Sequence, residues 1–558
     1  MIKVLRLTGG LVPTLFLLLS AACSAPSKRD ILLSISRQVS VLKNDSAEVA
    51  GDLVLNPDLV EALYRKENSP VLARWGDKQK VDQLISEIEN VELEGLRPED
   101  YHLVVLKELR EKVFYSDNYE AEDVAKMEVL LTDALVLMAS HLQAGKTDPA
   151  TVDPQWQAVR RESAADLLPA IDSALSGGDI SGFLGAYLPA HREYLNLRKG
   201  LSRYRKIRDS GGWPQFPAGN EVLQLKVKHP DVAFLRRRLM ISQGGAENYG
   251  ADSLTFDQHL HEQVKIFQKR NGLDTSGVVT EATIATLNIP VEERIATIEA
   301  NLERWRWLKD DLGKKHIKVN IADFLMGVVE NNTTVLRADA IVGKPYRKTP
   351  VFSATMTYLV LSPSWTVPPT ILKNDVLPAV RKNRAYLKQK GMLVLKNDGS
   401  VVDPSAIDWK GTSGKFPYQI KQKPGKDNAL GVVKFMFPNK YNVYIHDTPQ
   451  RNLFAHTDRS FSSGCIRISE PLTLAEYLLQ DKKEWTRERM EKVIASGKET
   501  TVTLNEPVQV HVIYLTAWAD DNGTVHFRKD VYGRDEALLR ALKEAPPGAA
   551  VKGIASKN

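Results

Sequence analysis

Cysteine is almost absent from this sequence: among 558 residues only Cys23 and Cys465 occur. Two cysteines exclude a disulfide-stapled scaffold, and an apolar content of 43% excludes a disordered chain. A strong charge of either sign is also missing, because 75 lysines and arginines against 69 aspartates and glutamates give a net charge of +6. So dilute a charge argues against a nucleic-acid partner. The length predicts roughly three or four domains.

Long apolar runs free of charge are missing beyond the amino terminus. Residues 1–22 have the basic start, short apolar stretch and small terminal residues of a secretory signal peptide. This stretch is too short and too interrupted for a transmembrane helix, so we expect an exported, otherwise soluble protein. Cys23 lies where a bacterial lipoprotein signal keeps its lipidated cysteine. Residues 20–22 also match an ordinary cleavage site, so lipidation of Cys23 stays open.

Export leaves Cys465 as the one unmodified thiol of the mature chain. A single thiol cannot form an internal disulfide, and in an oxidising compartment it is a liability unless it is buried or used. Counting cysteines therefore gives the first indication of function.

The periodicity of apolar residues predicts an α+β multidomain fold. Apolar residues recur at three- and four-residue intervals in the first half of the chain, and the period changes to two at His316, which predicts a β-rich domain. The middle of that domain is more helical and rich in Lys, Gly and Pro, as expected of an inserted lid. The predicted segments are a tether (23–54), a helical scaffold domain (55–228), a small three-helix domain (229–292), a linker helix (293–315), the β-rich domain (316–535) with its lid at about 371–424, and a C-terminal helix and tail (536–558).

The small three-helix domain resembles the peptidoglycan-binding module found on many cell-wall enzymes. Most matching positions are core or turn residues, so they support the fold more than a ligand contact. His259 and His261 have no third ligand at helical spacing, which favours surface histidines over a metal site. The residues that carry the resemblance are Leu235, Leu239, Val264, Phe267, Gln268, Gly272, Leu273, Gly277, Thr283 and Leu287.

The residue types around Cys465 suit nucleophilic catalysis. His446 precedes Cys465 by 19 residues and is the usual base for a thiol, whose reactive form is the thiolate. The small residues at 462–464 could let backbone N–H groups face a developing oxyanion, and Arg467 brings a cation near the thiol. Two alternatives stay open at this point. One is an inert buried cysteine beside an unrelated histidine, and the other is a zinc site with His456, whose ligand spacing is not compact.

These residues resemble the catalytic signature of the L,D-transpeptidases with a YkuD-type domain. The signature is His446 followed, after 18 residues, by Cys465 within the sequence Ser-Ser-Gly-Cys-Ile-Arg at 462–467. The segments 361–371, 423–438 and 444–449 match the large Gram-negative branch of that family, in which a helical scaffold, a peptidoglycan-binding module and a lid accompany the catalytic domain. Many other members of the family have a second histidine at the position of Ser463. The large branch resembles this chain at that position and lacks the histidine.

The resemblance implies a role for each site residue. Cys465 would be the nucleophile and His446 the general base, oriented by a backbone carbonyl near Asp447. The remaining implied oxyanion and substrate residues are Tyr444, Ser463, Gly464, Arg467 and Trp365, although Trp365 is equally suited to a core position. No metal or organic cofactor is implied.

The implied reaction transfers an acyl group from a tetrapeptide stem of peptidoglycan to Cys465, releases D-Ala and forms a 3→3 cross-link with a second stem. We therefore expect a periplasmic enzyme of a Gram-negative bacterium that acts in cell-wall biogenesis and cell shape. Peptidoglycan stems and other cell-wall synthases would be its partners, and the membrane would be reached only through a lipidated Cys23. A non-catalytic wall-binding lipoprotein and a cysteine peptidase that hydrolyses stems remain the alternatives.

Overall fold

The computed structural model describes residues 25–42, 47–65, 71–157, 167–217, 222–243, 253–409 and 416–546. The predicted signal peptide and Cys23 lie outside these residues, and so does most of the tail predicted at 536–558. The described residues confirm the predicted fold class, with helices before a β-rich domain. None of the described helices is both long and apolar enough to cross a membrane.

Helices build the amino-terminal part of the chain around the long helix α5. A capping box between Glu120 and Asp123 begins α5, and Gly145 in a left-handed conformation ends it. Most of α5 is buried, including Glu128, which accepts hydrogen bonds from the backbone N–H groups of Arg74 and Trp75 at 2.8 Å each. The elements are α1 (Lys28–Val41), β1 (Glu48–Val49), β2 (Asp52–Leu53), α2 (Pro57–Tyr64), α3 (Lys78–Asn90), α4 (Leu103–Tyr115), α5 (Ala121–Ala144), α6 (Pro149–Val152), β3 (Trp156–Gln157), α7 (Leu167–Gly177), α8 (Ile180–Gly185) and α9 (Arg192–Asp209).

Three helices with their own apolar core form the next unit: α10 (Pro230–Gln243), α11 (Gln258–Arg270) and α12 (Glu281–Leu287). Gln268 is buried between them, donating to the carbonyl of Val278 at 2.7 Å and accepting from the N–H of Gly277 at 2.9 Å. Gly277 has φ +73°, and a Cβ there would collide with the ring of His261. These matching residues therefore hold the turn between α11 and α12.

The segment expected to be a linker helix is a central buried element, α13 (Val291–Trp307). It packs against α9 and against the β-rich domain in one continuous apolar core, which also takes in Trp156 of β3. Two ion pairs accompany it: Arg306 with Glu303 at 2.7 Å, which is fully buried, and Arg304 with Asp535 at 2.6 Å, in which only Arg304 is fully buried. The end of the helical region and the β-rich domain thus share one core.

The β-rich domain is a mixed sheet in the order β12-β13-β15-β6-β5-β4-β16-β7, with β3 adding to β7 and β14 pairing with β6. β12 also pairs with β7, so the sheet closes on itself. The helix α17 directly follows β15 in the chain. The elements outside the lid are β4 (Lys315–Asn320), β5 (Leu325–Glu330), β6 (Thr333–Gly343), β7 (Val351–Leu361), β12 (Val433–Met436), β13 (Ile445–His446), β14 (Ser460–Ser462), β15 (Ile466–Ile468), α17 (Pro471–Leu478), α18 (Arg487–Ala495), β16 (Thr500–Ile513), β17 (Ala517–Ala519), β18 (Val525–Phe527) and α19 (Asp535–Lys543).

The lid is a small unit with a sheet and an apolar core of its own. Its strands follow the order β10-β9-β11-β8, and Val394, Trp409 and Ile420 lie in its core. The elements are β8 (Trp365–Thr366), α14 (Pro369–Ile371), a π-helical turn (Leu372–Val376), α15 (Leu377–Lys382), α16 (Tyr386–Gln389), β9 (Met392–Leu395), β10 (Val401–Val402) and β11 (Gln419–Gln422).

Alternating residue types from Tyr441 to Ile445 predict a strand that ends at His446, but β13 begins only at Ile445, so this prediction was wrong for residues 441–444. Asn439 causes the difference, because its side chain accepts from the N–H groups of Tyr441 and Val443 and donates to the carbonyl of Val443. A polar side chain that satisfies nearby backbone groups competes with a strand ladder.

Candidate active site

Two neighbouring strands present His446 and Cys465 on the same face of the sheet. β13 and β15 pair in parallel, with His446 beside Arg467, and the N–H of Ile466 donates to the carbonyl of Tyr444 at 3.1 Å. Cys465 therefore lies beside Tyr444, one rung before the pair of His446 and Arg467. Because side chains alternate along a strand, Tyr444, His446, Cys465 and Arg467 share one face.

Strand β12 extends this face by one more charged residue. Lys434 lies opposite His446, so Lys434, His446 and Arg467 form a row across three strands, called here the active-site row. The intervening residues Phe435, Ile445 and Ile466 face the other way and are completely buried in the core. The alternation separates an apolar core face from a charged face that carries the thiol.

The loop before Cys465 is held by the side-chain hydroxyls of Ser462, within the loop, and of Thr349, in the connection between β6 and β7. The hydroxyl of Ser462 accepts from the N–H of Gly464 at 3.0 Å and donates to the carbonyl of Cys465 at 2.6 Å. Thr349 donates to the carbonyl of Gly464 at 2.9 Å. Gly464 has φ +119°, a backbone conformation that residues other than glycine rarely adopt. The loop thus requires glycine before the thiol.

His446 is buried as a neutral imidazole with a defined tautomer. Its Nδ1 lies 2.5 Å from the carbonyl oxygen of Asp447, and since a carbonyl only accepts, Nδ1 carries the proton. Burial, together with the positive charge of Arg467, lowers the pKa of His446 to about 3. The imidazole is therefore uncharged at neutral pH, as a general base requires, and the backbone of Leu430 also lies within hydrogen-bonding reach of the ring.

The carboxylate of Asp447 is engaged elsewhere. It accepts from the N–H of Val432 and from Arg451, each at 3.0 Å. A Cβ on Gly431 would collide with this carboxylate, so the close approach needs glycine. The backbone of Asp447 orients the imidazole, while its side chain holds the loop before β12.

Cys465 is partly exposed, and the thiol is its resting form. Burial raises the pKa of the thiol above its ordinary value, while Tyr444 and the positive charges of Arg467 and Lys434 act in the opposite direction. The S–H group donates to the carbonyl of Asn442, with the sulfur 3.8 Å from the oxygen. A neutral thiol and a neutral imidazole on the same face suit proton transfer during attack, in contrast to a preformed ion pair.

Tyr444 joins the thiol to the lid. Its pKa is raised by burial and by the charge and hydrogen bonding of Cys465, while hydrogen bonding from Trp365 lowers it. The indole N–H of Trp365 only donates, so the phenol accepts from Trp365 and turns its own proton toward the sulfur. Trp365 also packs against the lid core, where sequence reasoning had left its place open.

Arg467 is a half-buried cation without a carboxylate partner in the described part of the chain. Its Nη1 donates to the side chain of Gln450 at 2.9 Å, and its buried Nε has no hydrogen-bond partner. Burial lowers the pKa of its guanidinium, and the charge of Cys465 opposes this. A positive charge held this way favours negative charge on the neighbouring sulfur.

No group of three or more His, Cys, Asp or Glu side chains among the described residues could hold a metal ion, which counts against the zinc alternative.

Of the residues selected from the sequence, Tyr444, His446, Gly464, Cys465 and Arg467 come together. Cys23 lies outside the described residues.

Three parts of the chain match known domain families. Residues 314–510 match the L,D-transpeptidase catalytic domain, called YkuD. This chain carries an L,D-transpeptidase catalytic domain. Residues 58–201 match a family described as a scaffold domain, and residues 228–287 match a domain provisionally named peptidoglycan-binding.

A Haemophilus influenzae protein provisionally named an L,D-transpeptidase is 36% identical over 222 residues, which make up 40% of this chain and 45% of the relative. The chain thus matches less than half the length of this curated relative. An L,D-transpeptidase from Xylanimonas cellulosilytica is 14% identical over 53% of this chain and 100% of that one, with a TM-score of 0.17. Mycobacterium tuberculosis L,D-transpeptidase 1 is 12% identical over 36% of this chain and 61% of that one, with a TM-score of 0.14.

Sequence reasoning missed Lys434 as a site residue of the L,D-transpeptidase domain. Its ammonium lies 4.8 Å from the centre of the Tyr444 ring, and burial lowers its pKa while the charges of Glu499 and Cys465 oppose this. The signal was present in the sequence, because Lys434 interrupts an otherwise apolar strand.

Arg347 also escaped sequence reasoning, and it ties the lid to the nucleophile loop of the L,D-transpeptidase domain. Its Nη1 donates to Asp375 of the lid at 2.7 Å and to the hydroxyl of Ser463 at 2.9 Å. The side chain of Ser463, selected as an oxyanion or substrate residue, is thus engaged with Arg347. No local pattern links these three residues, which are far apart in the chain.

Proposed function

We propose that this protein is a peptidoglycan L,D-transpeptidase that forms 3→3 cross-links through a thioester on Cys465. One observation carries the proposal: a partly exposed thiol and a buried neutral imidazole share one face of adjacent strands within a domain that matches this family. The match to a peptidoglycan-binding family supports peptidoglycan as the substrate.

The first step is acylation of Cys465 by a tetrapeptide stem. The sulfur attacks the carbonyl carbon of the third stem residue while Nε2 of His446 takes the thiol proton. Tyr444 and the backbone N–H of Cys465 stabilise the tetrahedral oxyanion, since the N–H of Gly464 already donates to Ser462. The C–N bond then breaks, and D-Ala leaves with the proton returned by the imidazolium.

The second step resolves the thioester. The side-chain amine of the third residue of a neighbouring stem attacks the thioester carbonyl and loses a proton to His446. The C–S bond breaks, the thiol regains its proton, and an amide joins the two stems. Water in place of the amine would make the same site a peptidase, so the acceptor separates these two activities.

The charges around the sulfur suit both steps. Lys434 and Arg467 are held in the active-site row, and neither forms a salt bridge with a carboxylate of the described residues. Negative charge that develops on the sulfur is therefore favoured by two cations that form no salt bridge, although the charge of Glu499 also acts on Lys434. The same row also suits a donor that carries a carboxylate.

We further propose that the enzyme works in the periplasm of a Gram-negative bacterium in cell-wall biogenesis. The signal-like residues 1–22 and the peptidoglycan-binding match support this location. Anchoring to a membrane would depend on lipidation of Cys23.

The test is intact-mass analysis of the purified protein incubated with a tetrapeptide stem as donor, followed by chromatography of the products. We expect an adduct on Cys465 that lacks D-Ala, and 3→3 dimers that Cys465→Ala abolishes. The matched control is Ser496→Ala, which changes a small polar residue exposed just after α18 and should keep both.

Unchanged dimer yield in Cys465→Ala would refute the proposal. An adduct that ends only in free tripeptide would favour the peptidase alternative. Binding to isolated sacculi without any adduct would favour a non-catalytic wall-binding protein.

A further inference from the structure

A small cavity lies where the three-helix module meets the rest of the molecule. Its walls include Tyr204 of α9, Arg238 of α10, Arg270 of α11, Arg294 of α13 and Phe527 of β18. The space left between them accommodates about one water-sized group. We call it the arginine cavity.

The three arginines of this cavity are almost completely buried, with exposed fractions of 2% for Arg238, 8% for Arg270 and 9% for Arg294. Burial and the neighbouring arginines lower the pKa of Arg238 to about 9 and that of Arg294 to about 10. The acidic residues that act on them, Asp520 on Arg270 and Glu293 on Arg294, lie beyond salt-bridge distance. In the part of the chain that the structure describes, positive charge is gathered here without a counter-charge.

The hydrogen bonds of the three guanidinium groups go to neutral acceptors. Arg238 donates through Nε and Nη2 to the carbonyl of Leu287 at 3.1 and 2.7 Å, which leaves its buried Nη1 without a partner. Arg294 donates to the side chain of Asn271 at 2.8 Å, and Arg270 donates to the carbonyl of Val525 at 3.3 Å. A buried donor that has no partner in the protein can bind an ion or a water molecule.

Aromatic rings fix the planes of two of these groups. The guanidinium of Arg238 lies 3.9 Å from the centre of the Trp213 ring, and that of Arg294 lies 4.3 Å from the Phe527 ring. Such stacking offsets part of the cost of burying a cation. It leaves the guanidinium edges, where the N–H groups are, free to face the cavity.

We propose that the arginine cavity binds one small inorganic anion of about the size of chloride. Buried cations need a counter-charge, and the cavity offers an unpartnered N–H donor and three positive charges to a ligand of this size. The anion would contact the module through α10 and α11 and the catalytic domain through α13 and β18. It would therefore fasten the module to the rest of the protein.

The test measures thermal unfolding of the full chain while sodium chloride replaces sodium gluconate at constant ionic strength. We expect the wild-type Tm to rise with chloride and to saturate after roughly 2 °C or more. Arg238→Gln should lose this response, and Arg294→Gln serves as a second variant if Arg238→Gln does not fold. Arg208→Gln is the matched control, because Arg208 is exposed at the end of α9 and pairs with its neighbour Asp209.

Bromide gives a direct readout, because anomalous diffraction from crystals grown in bromide should show a peak inside the arginine cavity. Equal wild-type Tm in chloride and gluconate would overturn the proposal, as would a chloride response in Arg238→Gln equal to that of the wild type. A bromide map without a peak in the cavity would do the same. Stabilisation by inorganic phosphate but not by chloride would contradict the size assigned to the anion.

Discussion

The charges buried along α13 and those of the active-site row are arranged in opposite ways. Near the C-terminal end of α13, Arg306 pairs with Glu303 and Arg304 pairs with Asp535, so these two buried cations each have their own carboxylate. In the active-site row, Lys434 and Arg467 lie beside a neutral His446, and no carboxylate of the described residues pairs with either cation.

This difference separates charge that serves folding from charge that serves chemistry. A paired buried charge is satisfied in the resting protein, and removing one partner exposes the cost of burying the other. An unpaired charge next to a thiol is satisfied only when negative charge develops there, as it does during acyl transfer. Substitutions on α13 should therefore lower the free energy of unfolding, whereas substitutions in the active-site row should lower the acylation rate.

The largest effect is expected from His446→Gln, which removes the base and keeps a side chain of similar size. Acylation by a tetrapeptide donor should slow by about 10²- to 10⁴-fold, while the midpoint of chemical unfolding should change little. Single-turnover kinetics followed by mass spectrometry measure the rate. A rate within a few-fold of the wild type would show that His446 is not the base.

The pH dependence of the same reaction tests the resting state of the pair. Because the pKa of His446 is lowered to about 3, acylation by the wild type should show no inflection near pH 6.5, where an ordinary histidine titrates. The raised pKa of Cys465 predicts that alkylation by iodoacetamide keeps rising through pH 8. A plateau of the alkylation rate between pH 6 and 8 would instead indicate a preformed thiolate–imidazolium pair.

Glu303→Gln should break the α13 cluster and leave the chemistry intact. It removes the carboxylate that holds Arg306 and accepts from the N–H of Thr147 at 2.6 Å, so an uncompensated cation remains in the core. We expect the free energy of unfolding to fall by about 3–5 kcal/mol, as measured by denaturant titration, with acylation per folded molecule preserved. The control Glu491→Gln, in an exposed pair with Arg487, should cost less than about 1 kcal/mol. Equal losses of unfolding free energy in Glu303→Gln and Glu491→Gln would contradict a special structural role for the buried pair.

The smallest effect is expected from Lys434→Met, which removes an unpaired charge from the active-site row. Acylation should slow by about tenfold, which corresponds to about 1.4 kcal/mol, while stability stays the same or rises because a buried cation is gone. Lys483→Met on the surface should change neither. Loss of stability without loss of rate would place Lys434 with the structural charges of α13.

Much of the fold could be predicted because its signals are local. Helical periodicity before His316 and alternation after it reflect which side of each element meets the core. They therefore predicted both the fold class and the order of the helical and β-rich parts. The short interval from His446 to Cys465 pointed to the site because both residues lie at strand ends within one connected motif. The same reasoning failed at residues 441–444, where the side chain of Asn439 bends the chain through its hydrogen bonds.

By itself, the sequence determined the order of the domains, the cysteine of the site and the histidine that precedes it. Only the tertiary structure decided that α13 is buried, that Lys434 joins His446 and Arg467 in a row, that Arg347 ties the lid to Ser463, and that three arginines from three helices meet without a carboxylate. The reason is physical: periodicity reports how each element meets its surroundings, whereas strand register and helix packing bring together residues that are distant in the chain. Their charges acquire a role only once they share a buried space.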